Sequence, residues 1–499
     1  MLLLKNRLYK MIKFLGFIIL FFHLPVGAQI QTIKILKAGN NEVYPQKKLV
    51  ILWKDVVLEH NGNIMHCDSA VVYKTENSFL AYRNILIEDN ESIILTGDSL
   101  KYYGDAQKAN IRGNVKLKSK EINLDAPSLD YDLKNKIAFF KQSAFIENKN
   151  TGNEIKSNQG RFNTVNNVLF FKENVELTNP DYTIQSDTLV YNTISEISQI
   201  NGQTKIVTKN STIHCHQGWF DSKNNISSLK DSIFISSETH QLAADSLFYN
   251  ENLGQADAFG HVVLRDDTSH WEMTGNRGFY DEKIDSASVY GNSRLTQFNK
   301  EDTLKIFADK FITKKADNFY ELFCFHNVNI LGNQLNGKCD SLYYYEMDSL
   351  MYFYDDPVLW IEESQMTGDL INFKIKNGKV YNMEIKENSF IITKNDSAHY
   401  DQIKGDFIDG DFIDNQLSTM LINGNGKVIY FSENEETKSI SDANKVECEK
   451  MKINFFENNI KEVIFQSETS GNSAAIIENE KYELDGFKIY EKITLPNGE

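Results

Sequence analysis

Proline is scarce in this chain, with six residues in 499. Proline cannot donate to a strand ladder, so its scarcity leaves long stretches free to pair as sheet. Cysteine is as rare, with five residues at 67, 215, 324, 339 and 448. The odd count and wide spacing exclude a small disulfide-stapled framework. Cys67 and Cys339 stand directly before Asp-Ser pairs, where Gly97 and Ala244 stand in other copies, so they read as small buried residues, with a bridge as the alternative where stacking brings two cysteines together. Positive charge is also short: 53 Lys and Arg face 69 Asp and Glu, for a net charge of −16. That balance excludes the basic footprint of a nucleic-acid-binding protein. After residue 28 no apolar run approaches the roughly 20 residues of a membrane-spanning helix. A Gly-rich phosphate loop, a metalloprotease helix motif and a dinucleotide fingerprint are all missing, so neither cofactor nor metal is expected.

What is present begins with a leader. Lys5, Arg7, Lys10 and Lys13 precede an apolar run over 14–24, followed by Val26-Gly27-Ala28. This order predicts a secretory signal peptide over 1–28, cleaved after Ala28, and an exported, soluble mature chain. No Cys follows the cleavage site, so a lipoprotein anchor is not expected.

Beyond the leader, two short cassettes alternate. The first reads Asp98-Ser99-Leu100-Lys101-Tyr102 and recurs at Asp68–Tyr73, Pro127–Tyr131, Asp187–Tyr191, Asp245–Tyr249 and Asp340–Tyr344. Diverged copies stand at Gly160-Arg161-Phe162, Trp219-Phe220, Gly278-Phe279-Tyr280 and Asp369-Leu370-Ile371. The second reads Gly113-Asn114-Val115-Lys116-Leu117. Its Asn-like position returns at 55, 84, 114, 142, 174, 203, 231, 261, 292, 327, 356, 388 and 425, thirteen copies with steps of 28 to 37 residues. A beat that regular marks a stacked array of one supersecondary unit.

Leu100 and Tyr102 are two apart, as are Val115 and Leu117, so each pair shares one face of a strand. The repeat therefore predicts two strands with one buried face, joined by turns such as those at Asn135, Asn224-Asn225 and 252–254, where Asn and Gly tolerate positive φ. With 32 Phe and 23 Tyr, and no helical period after residue 28, the chain is expected to be all-β. The expected architecture is an elongated repeat β-jelly-roll of two facing antiparallel sheets, about thirteen two-strand repeats, with one strand of each repeat in each sheet. Glycines 113, 260 and 291 stand mid-strand, where a bend or bulge is expected. The division is 1–28 leader, 29–430 repeat jelly-roll, and 431–499 diverged repeats and cap.

Other chemistry finds little footing. The Asp-Ser pairs lie in a repeat without a matching histidine, so they read as the polar start of a strand and not as a hydrolase site. His214-Cys215-His216 offers two imidazoles but no third ligand nearby. The aspartates of 406–414 miss the spacing of a calcium loop and read as solvated strand ends. No enzyme is expected. A membrane barrel is disfavoured by charges such as Lys101, Lys116 and Lys118 on the outward face.

The alternation of Ala-Asp-Ser-Leu-x-Tyr with Gly-Asn-Val-x-Leu resembles the OstA/LptA-like proteins of Gram-negative bacteria. Its clearest copies are Ala244–Tyr249 with Gly260–Leu264, and Gly97–Tyr102 with Gly113–Leu117. The resemblance covers roughly residues 50–430. It implies an open jelly-roll, or β-taco, whose apolar groove carries the acyl chains of lipopolysaccharide through the periplasm. It also implies partners of like fold joined through edge strands, and a possible outer-membrane translocon. The chain lacks the long barrel of the translocon protein and is much longer than a minimal bridge. The groove candidates are Leu100, Tyr102, Val115, Leu117, Leu129, Tyr131, Leu189, Tyr191, Leu247, Tyr249, Leu342 and Tyr344. A closed sandwich core shows the same alternation. The competing reading is a non-catalytic structural or adhesive β-solenoid.

Overall fold

Each long strand of this protein bends at its middle. In alternate strands, those of the second cassette, the bend is made by two successive residues with positive φ, as at Lys54-Asp55, Arg83-Asn84, Gly113-Asn114, Gly260-His261, Gly291-Asn292, His326-Asn327 and Gly424-Asn425. Asn and Gly pay the least for the left-handed region, which is why the second cassette is written with them. The pair forms a bulge: pairing passes from Arg112↔Ser128 to Val115↔Ala126, so two residues oppose one. The bulge gives this strand one residue more than its neighbour, and the inward positions keep their parity along it. Ala109 and Ile111 before the bend, and Val115 and Leu117 after it, are all buried. Both arms of a strand thus turn their apolar side chains into one interior.

A carboxylate fixes several of these bends. Asn114 Nδ2 donates to Asp98 Oδ2 at 2.8 Å, sixteen residues away on the neighbouring strand. The same bond joins Asn84 to Asp68 at 3.0 Å, Asn327 to Asp309 at 2.9 Å, Asn388 to Asp369 at 3.0 Å and Asn425 to Asp406 at 2.9 Å. His261 takes the Asn place against Asp245 at 2.8 Å. A Cβ on Gly113 would collide with the Asp98 carboxylate, and one on Gly424 with that of Asp406. The Asp-Ser pair therefore sits at the corner of a bent strand, not at its start. Asp406 is likewise a corner residue, and Asp409 and Asp411 accept from Asn382 Nδ2 at 2.7 and 3.1 Å. Asp414 lies outside the described residues.

The computed structural model describes residues 31–493, apart from 90–92, 269, 299–302, 317–318, 334, 377–378, 414–415, 434–438, 457–458 and 478–479. The leader expected over 1–28 lies outside the described residues. No α-helix occurs among the described residues; a single 3-10 turn spans Pro45–Lys47. The chain divides into two units, Met1–Glu173 and Asn174–Glu499.

In the first unit, Leu49–His60, Asn63–Tyr73, Ser78–Glu88, Ile94–Tyr103, Lys108–Lys118 and Ile122–Asp132 follow one another as antiparallel neighbours. Lys34–Lys37 and Asn40–Tyr44 pair with the two arms of Leu49–His60. Every long strand thus contributes one arm to each of two facing half-sheets. The expected placement of one whole strand per sheet is corrected by this pairing. The expected turns are found: Asn225 and Gly254 take φ of 53° and 66° at strand ends.

In the second unit the same meander runs from Tyr182–Asn192 to Asn336–Tyr345. It then passes through short pieces, among them Leu350–Tyr354 and Val358–Ile361, and resumes in Lys379–Lys394, Tyr400–Ile413, Gln416–Glu433 and Ile440–Phe456. Residues 482–490 return across the outside of these last strands. Ile391 points into the main core, while Phe390 and Ile392 point outward and pack with Ile429 and Leu484. Gln402 brackets the returning backbone, donating to the Tyr482 carbonyl and accepting from the Leu484 amide, both at 2.7 Å. Gln365 does the same at Lys488 and Tyr490, both at 2.8 Å.

All five cysteines are buried free thiols. Cys67, Cys215, Cys339 and Cys448 share the inside of the corner with Gly97, Ala126, Ala244 and Gly405, each paired across from the first inward residue beyond a bend. A Cβ on Gly97 would strike Ile111 of the other arm, so the corner admits only small side chains.

The corner makes a direct prediction. Asn114→Val removes the donor and forces a β-branched residue to φ 45°, which is expected to cost about 1–3 kcal/mol. Asn114→Gly keeps the conformation and loses only the hydrogen bond, about 1 kcal/mol. Hydrogen exchange of the amides in Ile94–Tyr103 and Lys108–Lys118 distinguishes them; equal losses would remove the conformational role.

Candidate functional site

The interior between the arms differs between the two units. In the first unit, polar side chains meet across the mouth opposite the corners. His60 at the tip of one arm has its Nδ1 at 2.8 Å from the Tyr102 hydroxyl at the tip of the other. Tyr131 donates to Asp89 at 2.7 Å, and Lys136 pairs with the same carboxylate at 3.1 Å. Phe79 packs on Tyr102, and Phe140 on Phe171. The interior there is filled with large side chains.

In the second unit, the lining of a cavity of about 1550 Å³ extends from Asn179 to Glu346. It exceeds the roughly 300–1,000 Å³ of an ordinary small-ligand pocket. Leu229, Leu242, Leu264, Trp271, Met273 and Leu295 form its apolar wall. The lining reaches turn residues at both strand ends, among them Ser211 and Asn225, so it opens at the mouth between the arms. One end is marked by Tyr182, stacked on Phe220 with ring centres 6.5 Å apart and 3.4 Å from the Ser222 hydroxyl. Farther along, rim contacts run along a lip instead of across it: Tyr249 to Glu282 at 3.4 Å, Tyr280 to Asp285 at 3.2 Å, His240 to Asp266 at 3.4 Å.

The space has a local cause. The first cassette puts a Leu and a Tyr into the interior of each repeat, as Leu100 and Tyr102 do. Around the cavity the Leu place is Gly278 and the Tyr place of another repeat is Thr313, both in the lining. Tyr280 is 39 % exposed where Tyr102 and Tyr191 are 0 %.

The twelve groove candidates separate accordingly. Leu100, Tyr102, Val115, Leu117, Leu129 and Tyr131 in the first unit, and Leu189, Tyr191 and Leu342 in the second, are at most 3 % exposed. Leu247, Tyr249 and Tyr344 line the cavity. Trp271, Met273 and Leu242 fall in no cassette and were not anticipated; the departures at Gly278 and Thr313 were the available signal. Lys101, Lys116 and Lys118 are exposed, as the outward face requires.

Carboxylates and tyrosines surround the opening. Burial, and after it Asp285, pushes the Tyr280 hydroxyl up to about 12. Burial followed by Glu282 and Glu251 raises Tyr249, and burial followed by Asp285 raises Tyr320. These phenols therefore remain hydrogen-bond donors at neutral pH.

Residues 31–187 match the model of a family described as OstA-like protein. This stretch is OstA-like. It contains the long strands of the first unit and ends inside Tyr182–Asn192, so the OstA-like match overlaps only the first few lining residues of the cavity. No curated protein matches the chain. Among solved structures, the chain is similar to LptH of Pseudomonas aeruginosa, described as the LptA-homologous periplasmic component of the lipopolysaccharide transport device. That likeness is 15 % identity over 23 % of this chain and 82 % of that one, with a TM-score of 0.21.

Tyr280 supplies a test of the opening. Below its ordinary value of 10.0 the phenol is protonated in folded and unfolded chains alike. Between 10.0 and about 12 only the unfolded chain has lost the proton, so stability falls as pH rises through that window. Tyr280→Phe is expected to reduce that slope and to remove a late-titrating phenolate absorbance; an unchanged slope and spectrum would contradict the assignment.

Proposed function

We propose that this protein is a non-catalytic periplasmic carrier of lipopolysaccharide, holding acyl chains in the cavity of its second unit on the way to the outer membrane. The observation that carries the reading is the apolar, mouth-opening cavity of about 1550 Å³ between the arms of an all-β array. Moving an acyl chain of ten methylenes out of water into such a wall is favourable by about 8 kcal/mol at most. Carriage needs no reacting group, only similar affinity at successive rungs and an energy source elsewhere. The OstA-like match and the alternating cassettes support the same reading.

In this reading Leu247, Tyr249 and Tyr344 contact acyl chains together with Leu264, Trp271 and Met273. The nine buried candidates hold the scaffold that keeps the arms apart. The leader directs export to the periplasm. Outer strands such as Lys34–Lys37 and Ser470–Ala475, all of whose residues are exposed, offer backbone edges for partners of like fold.

Photocrosslinking in cells making labelled lipopolysaccharide tests the assignment. Crosslinkers at Leu264, Met273 and Tyr249 are expected to give adducts, and one at the exposed Lys230 none. Absence of adducts at all three inward positions would overturn the carrier reading, as would unaltered surface lipopolysaccharide after depletion of the protein.

A further inference from the structure

The wall of the cavity is apolar but its opening is strongly one-sided in charge. Asp181 and Asp266 stand on one lip, and Asp221, Glu251, Asp285 and Glu346 on or near the other, with Glu321 close by. Against these seven carboxylates the lining contains one lysine, Lys209, and His240, which lies 3.4 Å from Asp266; just outside it, Lys315 pairs with Asp285 at 3.7 Å and leaves the balance negative. No arginine is in the lining. The hydroxyls of Tyr249, Tyr280 and Tyr320 add donors among the carboxylates. Arginine and lysine are what phosphate recognition calls for, through charge-assisted and bidentate hydrogen bonds. Carboxylates beside phenols instead accept from hydroxyl and amino groups and repel anions.

Resting on the carrier reading, we infer that the cavity selects amphiphiles whose lipid-proximal head bears hydroxyl or amino groups and no net negative charge. The acyl chain lies against Leu264, Trp271 and Met273, and the head remains at the rim among Glu251, Asp285 and Tyr280. A phosphorylated head meets like charge on both lips. It is accepted only when a divalent cation neutralises it. The lipopolysaccharide suited to this cavity is thus one poor in phosphate next to its acyl chains.

Trp271 is the one tryptophan in the lining and reports occupancy. In full-length mature protein carrying Trp53→Phe, Trp219→Phe and Trp360→Phe, its fluorescence is followed on titration with dodecyl maltoside or dodecyl phosphate below their micelle concentrations. At low salt with EDTA, dodecyl maltoside is expected to bind at least about tenfold more tightly, consistent with unscreened repulsion. High salt or magnesium should close the gap. So should the combined Asp181→Asn, Glu251→Gln and Asp285→Asn variant, with circular dichroism confirming its fold. Equal or tighter binding of dodecyl phosphate at low salt, or a gap that persists in the variant, overturns the inference while leaving the carrier reading intact. Failure of both amphiphiles to bind overturns both.

Discussion

A carboxylate set against a left-handed residue pair is the contact on which the rest of this molecule depends. Without it, consecutive antiparallel hairpins would form a flat twisted sheet with two solvent-facing sides and no core. The Asp98–Asn114 bond and its counterparts fold each strand on itself. One sheet thereby becomes two half-sheets with a shared interior. The bond is local between neighbouring strands, so every rung folds its own corner, and small residues on the inside let the arms come close. Gly97 and Ala126 do so in the first unit, Gly275 and Gly405 in the second.

Given that frame, what the interior becomes is decided by volume. Where Leu and Tyr or Phe occupy their places, as at Leu129 and Tyr131, the arms close on a dry core with polar clasps at the mouth. Removing one of these side chains from a closed core would leave a cavity at a cost of roughly 2–5 kcal/mol. The chain keeps such space open around Gly278 and Thr313. On the carrier reading proposed above, this apolar volume is the place of the acyl chain.

Much of the fold was legible in the primary structure because the pattern is written thirteen times. The alternation at Leu100, Tyr102, Val115 and Leu117 identified the inward face, and the glycines before Asn114 and His261 identified the bends. The role of Asp98 was not legible, since its partner stands sixteen residues away and pairing register is needed to bring them together. An Asp-Ser at the head of an apolar alternation looks like a strand start; only the bulge shows that the strand has already begun. The cavity was harder still. Leu247 and Leu189 occupy the same place in the cassette, yet one lines open space and the other a closed core, because neighbouring repeats decide the volume. Trp271 and Met273 lie outside both cassettes, so repeat logic passes over them. In the returning segment 482–490, Leu484–Tyr490 reads as a last piece of the repeat that caps or extends the array, yet it crosses outside the strands without forming one, and its anchors, Gln365 and Gln402, are ordinary polar residues until their backbone partners are seen.

The corner cysteines have a consequence for how such a chain matures. Burial pushes the thiols of Cys67 and Cys339 up to about 12 and that of Cys215 to about 11. At neutral pH almost none is thiolate, the form that attacks a disulfide. Four of the five are spread one to a corner, and the fifth, Cys324, is near enough to Cys339 for the two to interact. Once the strands have closed over them, an oxidising compartment has no purchase on these thiols. The folded array thus keeps its shape with five free thiols and no disulfide among them.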